Sequence, residues 1–309
     1  MKKSNNIIAI IGPTATGKSD LAIEIAQELN TQIISADSRL VYKDFNIGTA
    51  KPSKEQLDKI KHYCIDIVLP TDDFSVSDYR IEAQKALNTI FSLNRPAIIA
   101  GGTGFYIKTL LEGLSIPKVE ADDEFRKEMK NLAQEKGNEF LFDMLKSKDE
   151  KIASKLHPND TFRIIRALEV IKKTGKPMSE LQTKNPPNYN VIYVFLDAKD
   201  RNYLYDRINK RVDYMLEIGL VEEVKNLIKK YGKTLSLLKT LGYKEISAYL
   251  DGQITIDNAI QLLKKNTRNF AKRQLTWFRA VENTHKFYID ELSKDEIPIK
   301  VREKCINMM

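Results

Sequence analysis

IIAIIGPTATGKSDLA, Ile7 to Ala22, is the stretch on which the fold turns. Ile7–Ile11 is a continuous apolar run of the kind that forms a strand buried on both faces. Gly12-Pro13-Thr14-Ala15-Thr16 carries loop-forming residues, and from Lys18 onward Leu21, Ile25 and Leu29 recur at helical spacing. Strand, loop and helix follow one another directly, so Gly12-Pro13-Thr14-Ala15-Thr16-Gly17-Lys18-Ser19 fits G-x-x-x-x-G-K-[ST] in the context that pattern requires. In such a loop the backbone N–H groups point at phosphate oxygens, and the helix amino terminus adds positive potential. Lys18 is placed to bridge terminal phosphates and the Ser19 hydroxyl to ligate Mg²⁺. The pattern selects a polyphosphate and not a base, so ATP, GTP and a prenyl diphosphate all remain compatible with it.

Further apolar runs bounded by turn residues occur at TQIISA, RPAIIAGG and NVIYVFLD, with helix-like segments between them. The alternation predicts an α/β fold: a P-loop NTPase-like parallel sheet flanked by helices. Between Pro117 and Pro186 the pattern changes to charged amphipathic segments such as DDEFRKEMKNLAQEK and DTFRIIRALEVIKK. That change predicts an inserted all-helical domain at 118–186, with 1–117 and 187–309 forming the core.

Two other strand ends carry chemistry. Asp37 in TQIISADSRLVY falls just beyond a strand's carboxyl end, the edge where ligands of open α/β sheets bind. A carboxylate there either activates an acceptor nucleophile, holds water on a metal, or caps the next helix. Asp197, ending NVIYVFLD, fits a Walker B aspartate as well as a structural one. The run RPAIIAGGTGFYIKTLLEGL passes from a strand through Gly101-Gly102-Thr103-Gly104 into a helix, and so brings a hydroxyl and backbone donors to the same edge.

The 309 residues are 42% hydrophobic and 30% charged, enough for a sizeable core, and the net charge of +8 favours an anionic partner. Cys64 and Cys305 are too few and too far apart for a zinc module or a disulfide framework, which suits a reducing cytosol. No stretch is long enough to span a bilayer. From Lys264 to Arg279 there are six Lys or Arg and no Asp or Glu. At about 100° per residue, Leu263, Phe270 and Trp277 fall on one stripe and Lys265, Arg268, Lys272 and Arg279 on the other side. A solvated face usually mixes signs, so this one is suited to phosphates. Arg163 and Arg166 share a helical face, but Glu169 three residues further on makes a plain surface pair equally compatible.

With these elements placed, the chain closely resembles the bacterial tRNA dimethylallyltransferases. The resemblance rests on GPTATGKS, ISADSRLVYKDFNIGTAKP, IIAGGTGFYIKTLLEGL, HPNDTFRIIRALEV, RVDYMLEIGLVEEV, TLGYKEI and FAKRQLTWFR, which occur in this order and span nearly the whole chain. Leu40 stands where that family often has Gln, and Phe162 where a polar residue is common. The resemblance implies transfer of a dimethylallyl group from dimethylallyl diphosphate to N6 of the adenine 3′ of the anticodon in tRNA, with Mg²⁺. It implies that the Gly12–Ser19 loop holds the diphosphate, that Asp37 is the general base, that Thr103 contacts the reaction centre and that Arg211 reaches the diphosphate. Arg201 and Arg207 lie nearby, and the motif alone favours Arg211 over them. Contacts to the tRNA anticodon stem-loop are implied for Asp37, Ser38, Arg39, Leu40, Thr103, Arg126, Arg163, Arg166, Tyr243, Lys244, Lys272, Arg273, Gln274 and Arg279. A cytoplasmic monomer is expected. The rival readings are a small-molecule kinase with the same loop, a prenyltransferase acting on free adenylate, and an RNA-binding regulator with a vestigial loop.

Overall fold

The computed structural model describes residues 5–117 and 119–306. The basic start of the chain, the expected boundary at Lys118 and the Cys305 side chain lie outside the described residues. The chain divides into two compact units, one of residues 1–110 with 188–309 and one of Leu111–Pro187.

The first unit is built on a six-stranded sheet. Its opening half comprises β1 (Asn6–Ile11), helix α1 (Lys18–Glu28), β2 (Ile33–Ser35), β3 (His62–Tyr63), α2 (Val76–Ser92), β4 (Ala97–Gly101) and α3 (Gly104–Leu111). All of β1 is buried, as the unbroken apolar run requires of a strand covered on both faces. Helix α2 starts with a capping box: Ser75 accepts from Asp78 N–H while the Asp78 carboxylate accepts from Ser75 N–H.

The second unit is helical among its described residues, with α4 (Asp123–Lys136), α5 (Asn138–Lys148) and α6 (Thr161–Thr174) as its long members. Asp122 and Asp160 cap α4 and α6 through their side chains. The apolar stripes meet in a core of Met129, Leu141, Leu145, Ile152, Ile164, Ile165 and Leu168. Glu169 is fully buried beside this core and accepts from Arg126, Arg166 and the Asp122 N–H. Those bonds hold its carboxyl below the usual range against the opposing effect of burial, which is the larger single influence but is outweighed by the hydrogen bonds together.

The first unit then resumes with β5 (Asn190–Asp197), α7 (Arg201–Glu217), α8 (Leu220–Tyr231), α9 (Tyr243–Leu250), α10 (Ile256–Arg279) and β6 (Thr284–Tyr288). The strand order is β3-β2-β4-β1-β5-β6, and every pairing is parallel. The α/β parallel sheet read from the sequence is therefore present, with β3 and β6 added at its edges. Parallel pairing puts the carboxyl ends of β1, β2, β4 and β5 on one edge. The phosphate loop, Asp37, the Gly101–Gly104 loop and Asp197 consequently share that edge. No helix among the described residues is long and apolar enough to cross a membrane.

Candidate active site

The phosphate loop leaves β1 at Gly12, whose φ is +147° and whose Cα faces the neighbouring strand so closely that a Cβ would stand 2.3 Å from the Leu196 carbonyl oxygen. Only glycine fits there. The turn is closed from within by Thr16 Oγ1 and Lys18 Nζ, which donate to the Pro13 carbonyl at 2.9 and 2.6 Å. It is held from outside by Arg207 Nε, which donates to the Ala15 carbonyl at 2.8 Å. Burial, and then the nearby Arg211 charge, lower the Lys18 pKa to about 7, with Asp37 acting in the opposite direction.

Beside the loop lies a cavity of about 790 Å³, within the size range of ligand sites. Lys18, Ser19, Asp20 and Arg211 line its polar part, and Ile47, Leu57, Met215 and Ile218 contribute an apolar wall. Part of that wall is the turn at 46–48, held by a residue the sequence reading passed over. Glu223 Oε2 accepts from the N–H groups of Asn46 and Ile47 at 3.1 and 2.8 Å, and Oε1 accepts from Gly48 N–H at 3.1 Å and from the Tyr243 hydroxyl at 2.8 Å. The IGTAKP and RVDYMLEIGLVEEV motifs contain both partners, but nothing in either motif announces the other.

On the other side of the loop, Asp37 Oδ1 accepts from Arg39 N–H at 2.8 Å. Residues 38–41 form turns and no helix starts there, so Asp37 is not a helix cap. Thr103 ties this turn to the next loop: its Oγ1 accepts from Ser38 N–H at 3.0 Å and its N–H donates to the Ala36 carbonyl at 3.0 Å. Asp37 lies near enough to Lys18 and Arg211 to raise the pKa of each, in both cases against a larger lowering by burial. Lys18 and Arg211 line one cavity, and Asp37 lies within electrostatic reach of both.

The three arginines of α7 are distinguished by their partners. Arg201 pairs with Asp197 through two bonds of 2.7 and 3.2 Å. Arg207 holds the loop carbonyl. Arg211 has no hydrogen bond among the described residues and lines the cavity. Asp197 also accepts from Ala198 N–H and lies 3.7 Å from Arg279, which gives this buried carboxylate a structural ion pair. The Walker B alternative for Asp197 falls with that pairing.

Several residues expected at the RNA prove to be occupied internally. Tyr243 is buried, gives its hydroxyl to Glu223 and packs its ring against Phe45 at 4.6 Å, so it has no surface for a nucleic acid. Gln274 is buried, and both ends of its amide are bonded inside the first unit. Arg126 and Arg166 are held by Glu169, because a buried carboxylate must be paired. By contrast Arg39, Arg163, Lys244, Lys272, Arg273 and Arg279 are exposed, and Ser38 and Leu40 are half-buried beside Asp37. The buried stripe of α10 also departs from the expected one. It runs Ala259, Leu263, Thr267, Ala271, Gln274, Leu275, Phe278, leaving Phe270 and Trp277 only half-buried.

Ser19 is exposed to the cavity, and no three His, Cys, Asp or Glu side chains converge on a metal site among the described residues. That donor set fits Mg²⁺ carried mainly by phosphate oxygens and water, with one hydroxyl from the protein.

A parallel sheet with a phosphate loop, its own lysine and a helix arginine lining the cavity beside it, and a carboxylate at a neighbouring strand end is the layout of a P-loop-type group-transfer enzyme. The model of the family described as IPP transferase matches residues 40–281. The tRNA dimethylallyltransferase of Acetivibrio thermocellus is 49% identical over 300 residues, covering 96% of both chains. That of Thermoanaerobacter sp. is 46% identical over 295 residues, covering 94% of both. Among solved structures, the full-length tRNA isopentenylpyrophosphate transferase of Bacillus halodurans superposes with a TM-score of 0.73 at 37% identity, over 99% of this chain and 97% of that one. A eukaryotic dimethylallyltransferase acting on tRNA gives a TM-score of 0.78 at 26% identity, over 98% of this chain and 80% of its own. The chain belongs to the IPP transferase family.

Proposed function

We propose that this protein transfers the dimethylallyl group from dimethylallyl diphosphate to N6 of the adenine 3′ of the anticodon in tRNA, releasing diphosphate, and that it does so as a cytoplasmic monomer. The observation that carries the reading is the meeting of three elements: a cavity that joins Lys18 and Arg211 to an apolar wall, the phosphate loop beside it, and Asp37 within electrostatic reach of Lys18 and Arg211. A diphosphate ester with a short branched alkyl chain matches such a cavity, with the diphosphate at Lys18 and Arg211 and the alkyl chain against Ile47, Leu57, Met215 and Ile218.

In the reaction the bond from C1 of the dimethylallyl group to the diphosphate oxygen breaks, and a bond from C1 to N6 forms. Negative charge accumulates on the departing diphosphate, where Lys18, Arg211 and the amides at the amino terminus of α1 stabilise it. Mg²⁺, held by the diphosphate and Ser19, would supply further neutralisation of that charge. The N6 amino group is a weak nucleophile because its lone pair is delocalised into the purine. Asp37 accepts its proton, an effect of roughly 10²–10⁴-fold for a well-placed base. Asp37 Oδ1 is fixed by Arg39 N–H, which leaves Oδ2 for the substrate. A stacked adenine cannot reach such a base, so the nucleotide flips out of the anticodon loop, with Ser38, Arg39, Leu40 and Thr103 next to it. Exposed Lys244, Lys272, Arg273 and Arg279, and Arg163 in the helical unit, supply phosphate contacts.

The test is transfer of label from dimethylallyl diphosphate, with Mg²⁺, to unmodified tRNA carrying adenine 3′ of the anticodon, beside AMP as acceptor and beside ATP hydrolysis. Label in tRNA and not in AMP is expected. Label in AMP alone, or loss of the γ-phosphate from ATP without prenyl transfer, overturns the reading.

A further inference from the structure

Two aromatic side chains stand beside Thr103 at the active edge of the sheet. Phe105, two residues on, is 43% exposed. Trp277 of α10 lays one face of its six-membered ring on Gly104, where a Cβ would stand 2.2, 2.3 and 2.6 Å from three ring atoms. Only glycine admits the ring there. The rest of the ring is not enclosed: Trp277 is half-buried, and among the described residues its Nε1–H makes no hydrogen bond and no cation lies over it. Its one ring neighbour there, Phe278, meets it edge-on at 5.6 Å. A tryptophan that serves only the core is buried and gives its N–H to a partner. This one is held rigidly on one side, and Arg273, four residues earlier and so on the same helical face, is exposed. A fixed aromatic ring with a cation beside it is how proteins hold the bases of single-stranded RNA.

We propose that Trp277 is a stacking platform for the unpaired base next to the adenine that receives the prenyl group. When that adenine leaves the stack, its neighbour loses a stacking partner. The Trp277 ring, fixed on Gly104 one residue from Thr103, takes the adenine's place, and the new stack offsets part of the cost of extruding the nucleotide. Every base has a π face, so the contact adds to affinity and to the flipped geometry more than to sequence choice. The proposal rests on the tRNA prenyltransferase reading.

Trp277 is the single tryptophan of the chain, so its emission reports its own surroundings. The test titrates the full-length protein with an anticodon stem-loop RNA carrying adenine 3′ of the anticodon, and with the same RNA made abasic on both sides of that adenine. The intact RNA should quench the emission. The abasic RNA should bind about tenfold more weakly, within the range for one stacked base, and leave the emission nearly unchanged. Trp277→Leu removes the π face and should weaken the intact RNA about tenfold, with the slope of log affinity against log salt unchanged because no phosphate contact is lost. Its binding of inorganic diphosphate should stay within about twofold of the wild type, and Trp277→Phe should recover part of the lost RNA affinity. Equal quenching by intact and abasic RNA, or a Trp277→Leu protein that binds the intact RNA as the wild type does, overturns the proposal. A role confined to packing on Gly104 would weaken intact and abasic RNA by the same factor in Trp277→Leu, which also overturns it. Should Trp277→Leu fail to fold, the two wild-type titrations decide alone. Failure of the underlying reading has a different signature, since the wild type would then bind neither RNA and transfer no label to tRNA.

Discussion

Glu223 makes no contact with the phosphate loop, yet its removal should selectively weaken the donor. One carboxylate accepts from three consecutive N–H groups, those of Asn46, Ile47 and Gly48, and from the Tyr243 hydroxyl. A hydrogen bond to a charged group contributes about 1.5–3 kcal/mol, but turn amides released to solvent recover most of that from water. For Glu223→Ala the net cost of holding the turn in place is taken as about 3 kcal/mol, one to two such bonds unrecovered. If the turn is ordered only when the donor binds, that cost appears in donor affinity as roughly a hundredfold rise in KM. Glu223→Gln behaves differently. Its amide can set the oxygen toward Asn46 and Ile47 and its NH₂ toward the Tyr243 oxygen, so that only the Gly48 bond and the charge are lost. A rise of about fivefold to tenfold follows, equivalent to about 1–1.4 kcal/mol. The assay is steady-state prenyl transfer with each substrate varied in turn, beside thermal melting to report the fold. The KM for tRNA should stay within about twofold, because the carboxylate of Glu223 is engaged by the 46–48 turn of the cavity wall and by Tyr243. A Glu223→Ala protein with wild-type donor KM and an unchanged melting temperature would refute the idea that this carboxylate shapes the cavity.

Lys18 gives a pH dependence of defined sign. Its pKa in the free protein is lowered to about 7, so above that pH Lys18 loses its positive charge and Arg211 remains as the cation of the free site. kcat/KM for the donor should fall with rising pH through that region, whereas kcat stays flatter because a bound diphosphate raises the lysine's pKa again; Lys18→Arg should remove the decline. Asp37→Asn should leave the binding of both substrates nearly intact and lower kcat by roughly 10²–10⁴-fold in single-turnover assays. In the helical unit, Arg163→Ala should reduce the slope of log affinity against log salt by about one in tRNA binding titrations. Arg126→Ala should instead lower the melting temperature, because it leaves the buried Glu169 with Arg166 as its only remaining cationic partner among the described residues.

What the sequence determined by itself was what is continuous along the chain. The phosphate loop needs one strand end, one set of loop residues and one helix start, all within Ile7–Ala22, so its geometry follows from local rules. The four apolar strands were legible for the same reason, and parallel pairing then fixed that Asp37 and Thr103 share an edge with Lys18. The edge strands β3 and β6 were not legible: HY is too short to show a period, and THKFY is half polar because only one neighbour covers it. Tertiary structure alone decided which like residues do what. Arg201, Arg207 and Arg211 look alike in sequence, and only their surroundings separate an ion pair, a loop clamp and a cation facing the cavity. The stripe on α10 was misplaced because hydrophobic periodicity passes over Thr267 and Gln274, polar residues buried with their own hydrogen bonds to the Leu263 carbonyl and to the two active-edge loops. Contacts such as Gln274 to Thr14 and Glu223 to Gly48 join parts of the chain 260 and 175 residues apart. Nothing local encodes such a partner, because which donor meets which acceptor is set by how the helices pack on the sheet.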